Sequence, residues 1–156
     1  MIRDSQTALF EATALTTSQN SPNTYDLGAA FSGGTAGGAS VDPGNGVPLG
    51  IVIVPTVSAT SNGTQTYEFD LIQSASSNLS SPDILLKLSF TTAQAATLLV
   101  AGSVLVLPIP PMSITKRFLG ISYVSANSAA ITVTAWICAL SEIQAQRFYT
   151  NAIVVS

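Results

Sequence analysis

The chain of 156 residues contains no histidine and a single cysteine, Cys138. Without histidine it cannot build a Ser-His-Asp triad, a histidine general base or a histidine-containing metal site. One cysteine excludes an intramolecular disulfide and a thiolate cluster, and a lone cysteine on a strand is usually a small core residue. We therefore expect a protein that is not an enzyme and that has no catalytic residues, cofactor or metal.

Charged residues are also scarce, at 8% of the chain against about 25% in an average domain. Disorder does not explain this, because 47% of the residues are hydrophobic. A net charge of −3 with five scattered basic residues argues against nucleic acid as a partner. A surface of Ser, Thr, Ala, Asn and Gly has little charge to keep neighbours apart, so it favours a permanent assembly.

No uninterrupted apolar run is long enough to span a membrane as a helix. The longest apolar stretch, residues 93–109, is broken by polar residues, glycine and proline. Asp4 and Glu11 fall where a signal peptide requires a continuous apolar segment. We expect a soluble product that is made in the cytoplasm and has no membrane partner.

Strand-like alternation is what the chain does contain, most clearly over residues 116–139. Two β-rich runs flank the small residues 125–129, a pattern typical of a hairpin with a short loop. In the second run one face is apolar and predicted to be buried, and it consists of Ile131, Val133, Ala135 and Ile137. The opposite face carries Thr132, Thr134, Trp136 and Cys138 in place of Lys and Glu. Such a strand is either buried on both faces or in contact with another protein.

The whole chain is predicted to consist of three parts. Residues 1–18 predict an N-terminal arm or first strand, 19–140 a β-sandwich domain, and 141–156 a C-terminal tail with many apolar residues. Within the domain, residues 29–46 form a glycine-rich loop, and residues 91–99 predict either one helical turn or a β-turn. Further strands are expected over 24–28, 49–57, 64–73, 83–90 and 103–109, and Pro55 indicates an edge or a bulge.

About eight strands without a long helix indicate an all-β, single-domain, jelly-roll-like sandwich. An immunoglobulin-type sandwich is the alternative.

Two pairs of charged residues are candidate sites of chemistry. Glu68 and Asp70 share one strand face, but a carboxylate pair for glycoside hydrolysis usually flanks a cleft, so we interpret them as a solvated face. Lys116 and Arg117 are suited to a partner's carboxylate, or are simply the charged start of a strand. An aromatic platform for sugars would draw on Tyr25, Tyr67, Tyr123, Tyr149 and Trp136, which lie in different segments.

Several short motifs together resemble the cement, or decoration, proteins that reinforce the capsids of tailed bacteriophages. In order, they are Met1-Ile2-Arg3-Asp4 with Phe10, Tyr25-Asp26-Leu27-Gly28, Leu49-Gly50-Ile51-Val52, Tyr67-Glu68-Phe69, Leu107-Pro108-Ile109-Pro110, Arg117-Phe118-Leu119-Gly120-Ile121-Ser122-Tyr123 and Thr132-Val133-Thr134-Ala135. Their order and spacing cover roughly residues 1–138.

The resemblance implies a jelly-roll protein of the virion, made in the host cytoplasm and bound to the outer surface of the capsid. Its partners would be the major capsid protein of the same phage and further copies of itself, with a dimer favoured over a trimer. The alternative is a carbohydrate- or receptor-binding module of a phage particle. The candidate interface residues are Trp136, Thr132, Thr134, Lys116, Arg117, Phe148 and Tyr149.

Overall fold

The computed structural model describes residues 7–28, 48–61, 63–110 and 113–143. The predicted glycine-rich loop 29–46 and the candidate residues Phe148 and Tyr149 lie outside these ranges. None of the helices within the ranges is long and apolar enough to cross a membrane.

Nine strands and one well-defined α-helix occur in the described part of the chain. The strands are β1 (Ala8–Leu15), β2 (Gln19–Asn20), β3 (Tyr25–Asp26), β4 (Leu49–Val57), β5 (Thr66–Ser74), β6 (Asp83–Thr91), β7 (Leu105–Pro108), β8 (Phe118–Ala126) and β9 (Ile131–Ala139), and the helix is α1 (Thr92–Leu98). The described part of residues 1–18 thus contains a strand, and the segment after residue 91 forms a helix and not a β-turn. Residues 140–143 add a short helical segment after β9.

The strands form two antiparallel sheets. Sheet A has the order β1-β9-β4-β7, and sheet B has the order β2-β8-β5-β6, with β3 also paired to β8. If β2 and β3 are taken as one interrupted strand, each sheet has four strands, and both draw on the two halves of the chain. This order is that of a jelly roll and confirms the predicted all-β sandwich.

The prediction that residues 116–139 form a hairpin is wrong. β8 pairs with β5 in sheet B, whereas β9 lies between β1 and β4 in sheet A. Asn127 and Ser128 adopt left-handed backbone conformations, with φ of 58° and 57°, and carry the chain from one sheet to the other. The apolar faces of β8 and β9 therefore both contribute to the core between the sheets, and the two strands do not pair side by side.

Local sequence explains the ends of two elements. Thr91 caps α1 because its side chain accepts a hydrogen bond from the Gln94 N–H, while the Gln94 side chain accepts one from the Thr91 N–H. Pro55 lies opposite Val133, and the register between β4 and β9 shifts directly after it. The expected bulge at Pro55 is therefore present.

A main core fills the space between the sheets, and a second apolar cluster lies apart from it. The main core includes Leu9, Phe69, Tyr67 and Tyr123, all with no exposed surface. The second cluster is built on Val52, Trp136 and Ile143. Because Ile51, Ile53 and Ile137 of the same strands belong to the main core, the second cluster lies on the face of sheet A turned away from sheet B.

Candidate interface site

The outer face of sheet A, turned away from sheet B, holds three of the candidate residues. Trp136 is 7% exposed and packs with Val52 and Ile143. Thr134 is 6% exposed, and its Oγ1 accepts a hydrogen bond of 3.1 Å from the Ala12 N–H, where edge strand β1 has an irregular register and Ala12 a φ of 43°. Thr134 and Trp136 are thus buried within the described chain.

Thr132, the third residue of this face, remains half-buried and lines a shallow groove of about 120 Å³. The groove lies where β1 and β4 end and β9 begins, and none of its lining residues is charged. We call it the uncharged groove, and it is lined by Ala14, Thr16, Val57, Ser58, Thr60, Ala130, Ile131 and Thr132. Val57 is the most exposed large hydrophobic residue in the described chain, at 58%.

A second set of exposed apolar side chains was missed by the sequence interpretation. Leu98 and Val100 are 47% and 39% exposed at the end of α1. Their segment is fixed to the end of β4, because the Ala59 N–H donates to the Leu99 carbonyl and the Gly102 N–H donates to the Pro55 carbonyl. Long-range hydrogen bonds place these side chains next to β4, and the periodicity of the sequence does not reveal such bonds.

Lys116 and Arg117 lie at the start of β8, on sheet B, and are not brought together with Trp136. The Lys116 Nζ is 2.8 Å from Asp83 Oδ2. Arg117 donates to both carboxylate oxygens of Asp26, each at 2.6 Å, and its guanidinium carbon lies 4.9 Å from the centre of the Phe118 ring. Both basic side chains are therefore engaged by carboxylates of their own chain.

Charge is distributed unequally between the two sheets. Every lysine and arginine among the described residues lies in or directly before a strand of sheet B and forms an ion pair there. Strands β4, β7 and β9 of sheet A contain no charged residue at all. In the described part of sheet A, only Glu11 on edge strand β1 carries a charge. Glu142, in the short helical segment directly after β9, is a second carboxylate on this side, and its charge adds to the burial that raises the pKa of Cys138. Sheet A is thus the side of the sandwich with fewer charged residues among those described.

Glu68 and Asp70 do not form the solvated face that their spacing predicted. Lys87 Nζ lies 2.7 Å from Glu68 Oε1 and 3.6 Å from Asp70 Oδ2, but the Asp70 side chain is only 2% exposed. Asp70 is buried because β5 is an inner strand, with Lys87 and Ser122 as its register partners on either side. Burial, and then the charge of Glu68, raises the pKa of Asp70, whereas hydrogen bonds from Lys87 and Ser89 lower the pKa of Glu68.

The aromatic residues considered for a sugar platform are mostly internal. Tyr67 and Tyr123 have no exposed surface and lie with ring centroids 6.5 Å apart. Burial raises the pKa of Tyr123 to about 12. With Trp136 also buried, three of the five rings are withdrawn from solvent, and Tyr149 lies outside the described residues. This geometry does not favour carbohydrate binding through stacked rings.

The sequence was compared with curated proteins and with models of protein families. A search of curated proteins found no match to the chain. The family model of Bbp16 matches residues 9–137, which reach from β1 almost to the end of β9 and so include strands of both sheets. The protein therefore belongs to the Bbp16 family.

Proposed function

We propose that this protein is a structural component of a phage virion, which binds the outside of the assembled capsid and stabilises contacts between major capsid subunits. The single observation that carries the proposal is the charge distribution of the sandwich. Strands β4, β7 and β9 expose a surface without charged residues, while the ion pairs of the described chain lie on sheet B. Charged residues are depleted at the centres of protein–protein interfaces, and the uncharged side is therefore the side expected to contact the capsid.

The contact region would centre on the uncharged groove and Val57. Val57 is 58% exposed, and the segment of Leu98 and Val100 is hydrogen-bonded beside it. Apolar side chains exposed next to one another mark interaction surfaces more often than isolated ones do. Threonine and serine around them supply hydroxyl groups for hydrogen bonds at an interface rim.

Stabilisation would follow from mass action and needs no catalysis. A protein that binds only the assembled shell stabilises it by RT ln(1 + [L]/Kd) for each site, or about 2.7 kcal/mol at a hundred times Kd. The rigid jelly roll suits this role because it has little conformational entropy to lose on binding. Self-association, with a dimer favoured over a trimer, would place one neutral surface over several subunits.

The test compares two valine-to-lysine variants on opposite sheets. Val57→Lys places a charge on the neutral side, and Val124→Lys places one on the exposed face of β8 in sheet B, where Val124 is 40% exposed. Both positions are on the surface, so both variants are expected to fold with stabilities within about 0.5 kcal/mol of wild type. We expect wild type and Val124→Lys to co-sediment with mature empty capsids of the phage that encodes the protein and to raise the capsid Tm. Val57→Lys should do neither.

Failure of the wild-type protein to bind capsids would contradict the proposed function. If the two variants bind capsids equally well, the proposed capsid binding stands. The neutral side would then not be the contact surface. Binding of the wild-type protein to glycan arrays without capsid binding would instead support a carbohydrate-binding module.

A further inference from the structure

A second groove, larger than the uncharged groove, runs between the edges of the two sheets. Its volume is about 450 Å³, within the range of pockets that enclose drug-sized ligands. We call it the edge groove, and it is lined by Leu88, Phe90, Val104, Leu105, Val106, Leu140 and Ile143. Every one of these side chains is apolar. The groove therefore suits a hydrophobic occupant.

The edge groove has an edge strand of each sheet at its sides. β6 is the last strand of sheet B and β7 the last strand of sheet A, and each contributes lining residues. Val104 is 42% exposed, and Leu88 and Leu105 are half-buried. Apolar side chains beside an open strand edge favour pairing with other chains, so natural proteins usually cover such edges.

We propose that residues 144–149 of the same chain dock in the edge groove and that the Phe148 ring fills it. The chain is already at the groove when it leaves β9, since Leu140 and Ile143 form part of the lining. The Leu140 N–H donates to the Pro48 carbonyl at 2.8 Å, which holds the start of residues 140–143 next to β4. Phe148 follows Ile143 closely enough to reach any point within roughly 17 Å of it.

Attachment through Ile143 favours the chain's own segment over that of a second copy. A segment tethered by a few residues is present at an effective concentration in the millimolar range, above that of free protein in most solutions. Gln144, Ala145 and Gln146 are neutral, and Arg147 can extend its charged group to solvent while its stem covers apolar surface. The segment lies beyond residues 9–137, the region of the family match, and its docking does not depend on capsid binding.

Disulfide trapping tests the position of the segment. In a Cys138→Ala background that keeps Phe148, Val104→Cys and Tyr149→Cys are combined, and the matched control combines Val124→Cys with Tyr149→Cys. Val104 and Val124 are 42% and 40% exposed, but Val124 lies on the far face of sheet B. With oxidised glutathione, we expect an intramolecular disulfide to form at least tenfold faster in the Val104 pair than in the Val124 pair, as read by non-reducing electrophoresis and mass spectrometry.

Each other outcome overturns the proposal. Equal rates in the two pairs, or no disulfide in either, would show that Phe148 does not reside at the edge groove. A covalent dimer formed specifically by the Val104 pair would show that a second copy supplies the segment.

Dye binding gives an independent measurement that needs no introduced cysteine. Phe148→Ala removes the proposed occupant, and Gln146→Ala is the control in the same segment. We expect 8-anilinonaphthalene-1-sulfonate fluorescence to rise several-fold with Phe148→Ala and to stay at the wild-type level with Gln146→Ala, because the dye reports exposed apolar surface. Equal fluorescence in wild type and Phe148→Ala would contradict docking of the ring.

Discussion

Arg117 and Asp26 form a two-pronged ion pair that joins the approach to β8 to the short strand β3, with both nitrogen-to-oxygen distances at 2.6 Å. The Leu27 N–H donates to the Arg117 carbonyl beside it. The same carboxylate also accepts a hydrogen bond from the Gly28 N–H at 2.8 Å. These bonds hold β3 against sheet B directly before the segment that leads to β4.

Replacement of Arg117 should therefore have a pH-dependent effect on stability. The hydrogen bond from Arg117 lowers the pKa of Asp26 below its ordinary value of 3.8. A carboxyl group with a lowered folded-state pKa stabilises the fold above its unfolded pKa, and the contribution is lost as the pH falls through the folded value. We expect Arg117→Ala to lower the Tm slightly at pH 7, because both partners are exposed, and to lower it by less as the pH falls below 3.8. A Tm difference that does not shrink on acidification would contradict this account.

Gly120 leaves room for Leu79, and filling that room should destabilise the protein. A Cβ atom at Gly120 would lie 2.5 Å from Leu79 Cδ1 and 2.9 Å from Ser21 Oγ. Leu79 is 1% exposed and cannot simply move into solvent without exposing its side chain. We expect Gly120→Ala to lower the free energy of unfolding by roughly 1–3 kcal/mol, as overpacking does.

The double variant with Leu79→Ala is the control for Gly120→Ala. Removing the clashing side chain should make Gly120→Ala less costly, so urea denaturation of the four proteins should give a favourable coupling energy of at least about 0.5 kcal/mol. Strict additivity would show that the cost comes from the backbone and not from contact with Leu79.

Trp136→Ala should unfold the protein more readily, because Trp136 packs within its own chain. With 7% of its surface exposed, the side chain is buried against Val52 and Ile143. A cost of roughly 3–5 kcal/mol in the free energy of unfolding is expected for a buried tryptophan. Thr132→Ala on the same strand face is the comparison, and it should cost less than about 1 kcal/mol because Thr132 is half-buried. If Trp136→Ala has wild-type stability, the Trp136 side chain does not stabilise the fold, and its role would be in an interface.

The two carboxylates beside Lys87 should respond in opposite directions when neutralised. Burial raises the pKa of Asp70 above 3.8, so its charge opposes folding at neutral pH, and acidification toward 3.8 relieves that cost. The pKa of Glu68 is lowered below 4.5, chiefly by its hydrogen bond with Lys87, so its charge favours folding above pH 4.5. We expect Asp70→Asn to raise the Tm at pH 7 and Glu68→Gln to lower it. Changes of the same sign would contradict this assignment.

Local pattern predicted the strands well, because alternation is a property of neighbouring residues. β4 was predicted with its observed bounds, and the Thr91 cap and the Pro55 bulge also follow from nearby residues. Pairing depends on distant segments, and this is why the hairpin of β8 with β9 was wrong. The left-handed Asn127 and Ser128 turn the chain toward the other sheet, and a period of two does not reveal which sheet a strand joins.

Burial of single polar residues was the other point that the sequence did not reveal. Asp70 and Glu68 look equivalent in an alternating strand, and both lie on the inner strand β5, yet the Asp70 side chain is 2% exposed and the Glu68 side chain 25%. The alternation left open whether the face of Thr134 is buried or in contact with another protein, and the irregular register of β1 brings the Ala12 N–H to its hydroxyl. Each outcome depends on which strands become neighbours, and this is decided by the whole fold.

The position of β9 between β1 and β4 also determines when the protein can fold during synthesis. Strand β1 leaves the ribosome well before its partner β9, which is made more than a hundred residues later, as the Ala12–Thr134 separation of 122 shows. Until then, the inner edge of β4 and the whole of β1 have no partner in sheet A. A chain that stalls before Ile131 therefore cannot complete sheet A, and it would present open strand edges to chaperones and proteases.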